Sequence, residues 1–169
     1  MKNKSVLSIL CLFVLASACQ PTAKRKADKA FSAYISAFTS GTISREGTIR
    51  VRLLNDVVTD SSKVADATKL FDFSPGIDGK AVWTDSRTVE FRPSAPMKPG
   101  QIYRTTFRLG AAIKVPSRFE RFEFDFEVMK QSLEVNVHGL RPLNDQRFDM
   151  QVLAGNVMTA DVEDPTRAE

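Results

Sequence analysis

FSPGIDGKAVWTDSRTVEFRPSAPMKPGQIYRTTF, from Phe73 to Phe107, decides the fold. It holds the only Trp of the chain and both Pro-Gly dipeptides. Residues 79–83 read as a short strand ending in Trp83. Residues 84–87 are polar and read as a turn. Val89 and Phe91 alternate with Glu90 and Arg92, which is the spacing of a strand with one buried face. Residues 93–100 contain three prolines, cannot supply a full row of amide donors, and form a loop. Tyr103, Thr105, Phe107 and Leu109 then alternate with Arg104, Thr106 and Arg108. Short strands joined this tightly predict antiparallel sheet.

The same pattern extends outward. Ile49, Val51 and Leu53 alternate with Arg50 and Arg52. Residues 55–66 are polar and read as a loop or a short strand with a turn, and 69–73 as a strand entering the central stretch. Gly110 to Arg118, with Pro116, is a break. Phe122, Phe124, Phe126 and Val128 alternate with Glu123, Asp125 and Glu127, the cleanest period-two run in the chain. Its aromatic stripe is expected to fill the space between two sheets, with the acidic residues facing water. Trp83, Phe91, Tyr103, Phe107, Phe122, Phe124 and Phe126 are the expected core. Beyond Gln131, Leu133, Val135 and Val137 mark another strand, 139–146 a turn region, and Phe148, Met150 and Val152 a further strand.

Phe-Ser-Pro, the Gly79-to-Trp83 run, Val-Glu-Phe-Arg-Pro and Pro-Met-Lys-Pro-Gly followed by Tyr-Arg-Thr-Thr-Phe together resemble an Ig-like domain. The likeness is to the one near the start of bacterial alpha-2-macroglobulin-like lipoproteins, and it covers roughly 36–169. Gly155-x-Val157-x-Thr159-x-Asp161 is similar to the segment that leads into the next domain there. The resemblance implies an all-β, Ig-like antiparallel sandwich over 36–130 and the first strands of a second, incomplete β domain over 131–169.

Residues 1–18 read as an export signal. Lys2 and Lys4 are its positive start, and 6–15 is apolar but too short to span a bilayer comfortably. Leu15-Ala16-Ser17-Ala18-Cys19 resembles a lipobox, with Ala16 where Leu is usual, so that Cys19 becomes the acylated N-terminus. Ordinary secretory cleavage after Ala18 is the alternative. Cys11 lies in the signal, so no disulfide is expected. Residues 19–35 are expected to be the lipidated N-terminus and a flexible linker, carrying Lys24, Arg25, Lys26 and Lys29 near anionic headgroups. Gln20 after the cysteine resembles outer-membrane sorting, so the expected location is the cell envelope, outer membrane rather than inner.

Composition suits one globular domain with extra segments: 169 residues, 43% hydrophobic and 26% charged. Without Lys2 and Lys4 the balance is 22 basic against 20 acidic residues, too even to argue for nucleic acid. His138 is the only histidine and has no Cys or His partner at ligand spacing. No Gly-x-Ser-x-Gly elbow or phosphate loop occurs. Asp56, Asp60 and Asp66 lack calcium-loop spacing, and Asp78-Gly79 reads as a turn. No catalytic residue, metal site or cofactor is therefore expected.

Two functions follow as expectations. The resemblance implies a membrane-anchored, non-catalytic scaffold of a protease-trapping protein. Its partners would be membrane lipid through Cys19 and proteases through the full-length parent. The other is a free-standing surface lipoprotein whose Ig-like module binds a glycan or protein.

Overall fold

Strands form where apolar residues recur every second position. The computed structural model describes residues 26–57, 67–144 and 147–163. Its strands are β1 (Ile35–Phe38), β2 (Gly41–Ile43), β3 (Ile49–Leu53), β4 (Phe71–Ser74) and β5 (Gly79–Trp83). They continue with β6 (Thr88–Pro93), β7 (Ile102–Phe107), β8 (Phe122–Val128), β9 (Leu133–Asn144) and β10 (Arg147–Thr159). Two four-stranded sheets have the orders β1-β3-β6-β5 and β2-β8-β7-β4, and β9 with β10 makes a separate two-stranded ribbon. The first order is A-B-E-D of an immunoglobulin constant-type sandwich, and β4, β7 and β8 supply C, F and G. The all-β sandwich read from the sequence is therefore the fold.

One pairing departs from a purely antiparallel reading. β2 runs parallel to β8. The first strand of the sandwich breaks after Phe38, crosses at Gly41, and continues on the opposite sheet. Gly41 has φ +78°, a left-handed conformation that glycine adopts without a Cβ clash.

Inward-facing residues meet between the sheets. Ile49, Val51, Leu53, Val89 and Phe91 come from one sheet. Tyr103, Phe107, Phe122, Phe124, Phe126 and Val128 come from the other. Phe91 sits 4.6 Å from the Phe73 ring, Phe71 lies 5.2 Å from Phe107, and Tyr103 stacks on Phe126 at 5.4 Å. Trp83 departs from the expectation. At the end of β5 it is half-buried, packed against the core's margin.

Local boundaries differ in four places. The expected linker is partly folded: the Asp28 carboxylate accepts from the Ala30 N–H and caps a 3-10 turn, Lys29–Ala33. Phe31 on that turn is buried against Phe122 (5.0 Å) and Phe119 (5.2 Å). Residues 68–70 form a 3-10 turn, so β4 begins only at Phe71. Leu109 is buried at the start of a one-turn helix, Leu109–Ala112, and does not extend β7. The expected turn over 139–146 is mostly strand, because β9 continues to Asn144. Cys19, the signal segment and 58–66 lie outside the described residues.

Candidate interaction surfaces

Pleating sends alternate residues of each sheet to its outer face. On the β1-β3-β6-β5 sheet, register places Arg50 opposite Glu90, Arg52 opposite Thr88, and Lys80 opposite Arg92. The Glu90 carboxylate accepts from Arg50 Nε through one oxygen and from Arg92 Nε, at 2.6 Å, through the other. The arginines cover it: the Glu90 side chain is 5% exposed while theirs are 62% and 64% exposed. Burial alone would raise the Glu90 carboxyl. The hydrogen bonds and charges of Arg92 and Arg50 outweigh it and hold the group below the usual glutamate range. Beside Arg50 and Arg52 an open hollow is lined by Ala37, Phe38, Thr39, Asp85 and Thr88.

The outer face of the other sheet mixes signs. Asp72, Arg104, Arg121, Glu123 and Asp125 line a second hollow, and Arg108 donates to Asp72 at 2.8 Å. Asp125 is buried at 7% exposure. Glu90 and Asp125 thus correct the expectation that outward carboxylates are all solvated. Long basic side chains reaching across neighbouring strands can shield a carboxylate, and a period-two pattern does not reveal them.

The ribbon is the other unusual surface. Its strands of 12 and 13 residues reach roughly 40 Å at ordinary strand rise. Register puts Leu133, Val135, Val137 and Leu140 on one face with Leu153 and Val157. These six are 56–66% exposed. Glu134, Asn136 and Arg141 share the opposite face with Leu143, Val152 and Met158. The pairing shifts between Ala154 and Gly155, leaving His138 as the unpaired residue of a bulge. The shift keeps those six residues on one side. A Cβ on Gly155 would lie 2.6 Å from the Asn136 carbonyl oxygen, so only glycine permits this approach.

A polar clamp ties the ribbon to the sandwich. Asp161 accepts from the Ser44 hydroxyl at 2.6 Å, the Arg45 N–H at 2.6 Å and the Val162 N–H at 2.8 Å. Gln131 donates to Glu163 at 2.7 Å and accepts from the Asp161 N–H at 3.1 Å, and Arg45 pairs with Glu163 at 3.2 Å. Burial would raise the Asp161 carboxyl, but these donors and the Arg45 charge hold it low.

Six of the expected core residues gather as anticipated, and Trp83 stands at the margin. His138 is exposed on the ribbon, away from any cluster. Among the described residues no group of His, Cys, Asp and Glu is arranged to hold a metal ion, and no helix is long and apolar enough to cross a membrane. The clamp and the Glu90 pair were missed. Their partners lie 116 and 40 residues apart, beyond the reach of local pattern. The Gly-x-Val-x-Thr-x-Asp segment was the one available signal, and it ends on Asp161.

No known protein family and no characterised protein matches the chain in sequence. Solved structures with a similar backbone include L,D-transpeptidase 3 from Mycobacterium tuberculosis with a faropenem-derived adduct. That match has a TM-score of 0.42 and 12% identity, covering 63% of this chain and 41% of that one. L,D-transpeptidase from Mycobacterium smegmatis aligns with a TM-score of 0.38 and 12% identity over 70% of this chain and 43% of that one. The chain thus spans about two fifths of the length of these structures.

Proposed function

We propose that the chain is the membrane-anchored N-terminal scaffold of an alpha-2-macroglobulin-like, protease-trapping protein, and that it is itself non-catalytic. The observation that carries this reading is the ribbon. A two-stranded ribbon is marginal in water unless a hydrophobic face is covered. Here six aliphatic side chains stand uncovered by the described residues. The Asp161 clamp fixes that face relative to the sandwich, as a scaffold handing on to a second β domain requires. Acylation at Cys19 would hold the module at the envelope, with the outer membrane the preferred site. Trapping would be the work of a parent protein's other domains.

Three experiments test it. The reading frame beyond Glu169 should continue into further Ig-like domains and a Cys-x-x-Gln thioester segment. A frame coding no β domain there rejects the reading. Replacing Cys19 with Ala should move the protein out of the detergent phase of membrane extracts, and a wild-type protein with a free, unacylated N-terminus refutes the anchor. Residues 20–169 should neither hydrolyse substrates nor inhibit proteases acting on a large protein substrate. Stoichiometric inhibition would point to a small self-contained inhibitor.

A further inference from the structure

Lys80, Arg92, Arg50 and Arg52 form a diagonal stripe of exposed cations across the outer face of the β1-β3-β6-β5 sheet. Neighbours in the stripe stand roughly 5–8 Å apart, the spacings of adjacent strands, of alternate residues along one strand and of the diagonal between Arg92 and Arg50. Glu90 is the carboxylate on the strands of this face and engages Arg50 and Arg92 through Nε, while Asp85 of the turn after β5 lies beside Arg52. Among the described residues the terminal amino groups of Arg50 and Arg92 have no acceptor, which leaves them for an outside one. Fixing the two arginines on a buried carboxylate also lowers the entropy that a later partner must overcome. The other sheet's outer face offers no such field, because Asp72, Glu123 and Asp125 offset its arginines.

We propose that this basic sheet face docks on anionic phosphate headgroups of the membrane to which the chain is tethered. The proposal rests on the anchoring at Cys19 put forward above. Six residues lie between Cys19 and Lys26, where the described structure begins, and the seven steps span no more than roughly 25 Å. A module on so short a tether stays beside the headgroups at high effective concentration. Its own charge asymmetry then selects the face that turns toward them. Screening confines the attraction to within about 8 Å of the surface at physiological salt, so the flat sheet face has to lie against the lipid to gain from it. Each cation near the surface strengthens binding roughly five-fold.

The test uses residues 20–169, which contain both sheets, the ribbon and the clamp and lack the acyl chains. Co-sedimentation is measured with vesicles of phosphatidylglycerol mixed with phosphatidylcholine, and with phosphatidylcholine alone. At low ionic strength the wild type should bind the anionic vesicles at roughly millimolar lipid and ignore the neutral ones. A variant with R50Q, R52Q, R92Q and K80Q should bind at least a hundred-fold more weakly, with near-ultraviolet circular dichroism confirming that it is folded. A variant with R104Q and R108Q, on the opposite face, should bind as wild type. Equal losses per charge removed in the two variants overturn the proposal, because binding would then follow net charge and not the face. Wild-type binding by the four-site variant also overturns it, since Lys24, Arg25, Lys26 and Lys29 would suffice. Inorganic phosphate should compete no better than chloride at equal ionic strength; stronger competition means a small-anion site and rejects the surface. Tighter binding to a soluble acidic polysaccharide than to vesicles rejects the membrane as partner. Because no acyl chain is present, failure here is independent of failure of the anchor, which the Cys19→Ala fractionation reads separately.

Discussion

Thr105→Val gives a prediction whose sign is worth measuring. Thr105 lies on β7 between Phe73 of β4 and Phe124 of β8, with its side chain inside the sandwich. It is 1% exposed, and its hydroxyl oxygen has no hydrogen-bond partner among the described residues. Folding therefore strips water from the hydroxyl and returns nothing, at a cost of about 1–3 kcal/mol. Valine has nearly the same shape and the same β-branched stiffness, so the exchange opens no cavity and keeps the strand preference. The expected result is a stabilisation of about 1–3 kcal/mol. A sandwich of roughly 100 residues should then melt at least ~4 °C higher. Urea denaturation followed by tryptophan fluorescence, with an unchanged m-value, checks it. A destabilisation above ~0.5 kcal/mol would refute the reasoning and mean that a buried water or a relaxed carbonyl satisfies the hydroxyl in solution.

Other outcomes follow from the same geometry. Phe124→Ala empties a site packed against Phe38 and Phe122, both at 5.3 Å, and should cost about 3–5 kcal/mol; a loss below ~1 kcal/mol would mean an exposed face. Because the folded Glu90 carboxyl is held below its ordinary value of about 4.5, its contribution is complete above that pH. That contribution is lost as pH falls through the folded value, and Glu90→Gln should flatten this part of the acid-stability curve. Asp161→Ala removes the acceptor for Ser44, Arg45 and Val162, so amide exchange should quicken in β9 and β10 and stay unchanged in β7 and β8. Leu153→Lys, on the ribbon's uncovered face, should shift the sandwich's stability by less than ~0.5 kcal/mol in denaturant.

Much of the sandwich was legible because its strands are short, half-buried and marked by alternation. Phe122 to Val128 and Ile49 to Leu53 announce themselves by period two, and Pro93 with Gly100 bounds a loop. What was not legible depends on distant partners. Phe31 looks like a lone apolar residue in a basic linker until Phe119 and Phe122, some 90 residues later, form its pocket. The stretch 139–146 contains Gly139, Pro142 and Asn144, all turn residues, yet a bulge at His138 absorbs the irregularity and the strand runs on. Glu90 reads as a solvated outward carboxylate because alternation reports which face a residue takes and says nothing of what covers that face. The surfaces were the least legible part, since the cation stripe exists only in the register of three strands.

The parallel contact between β2 and β8 has a mechanical consequence. Suppose tension enters at the N-terminal end and leaves through the ribbon that follows β8. Because the two strands point the same way, such a pull drags β2 backward along its axis and β8 forward along its own. The contact at Gly41–Phe126, Thr42–Glu127 and Ile43–Val128 is then sheared, so its bonds carry the load together and cannot open one by one like a zipper. The Met129 N–H donating to the Ile43 carbonyl, at 2.8 Å, adds one more bond at the loaded end. A domain held at one terminus and pulled at the other would keep its core shut until this short patch slid apart.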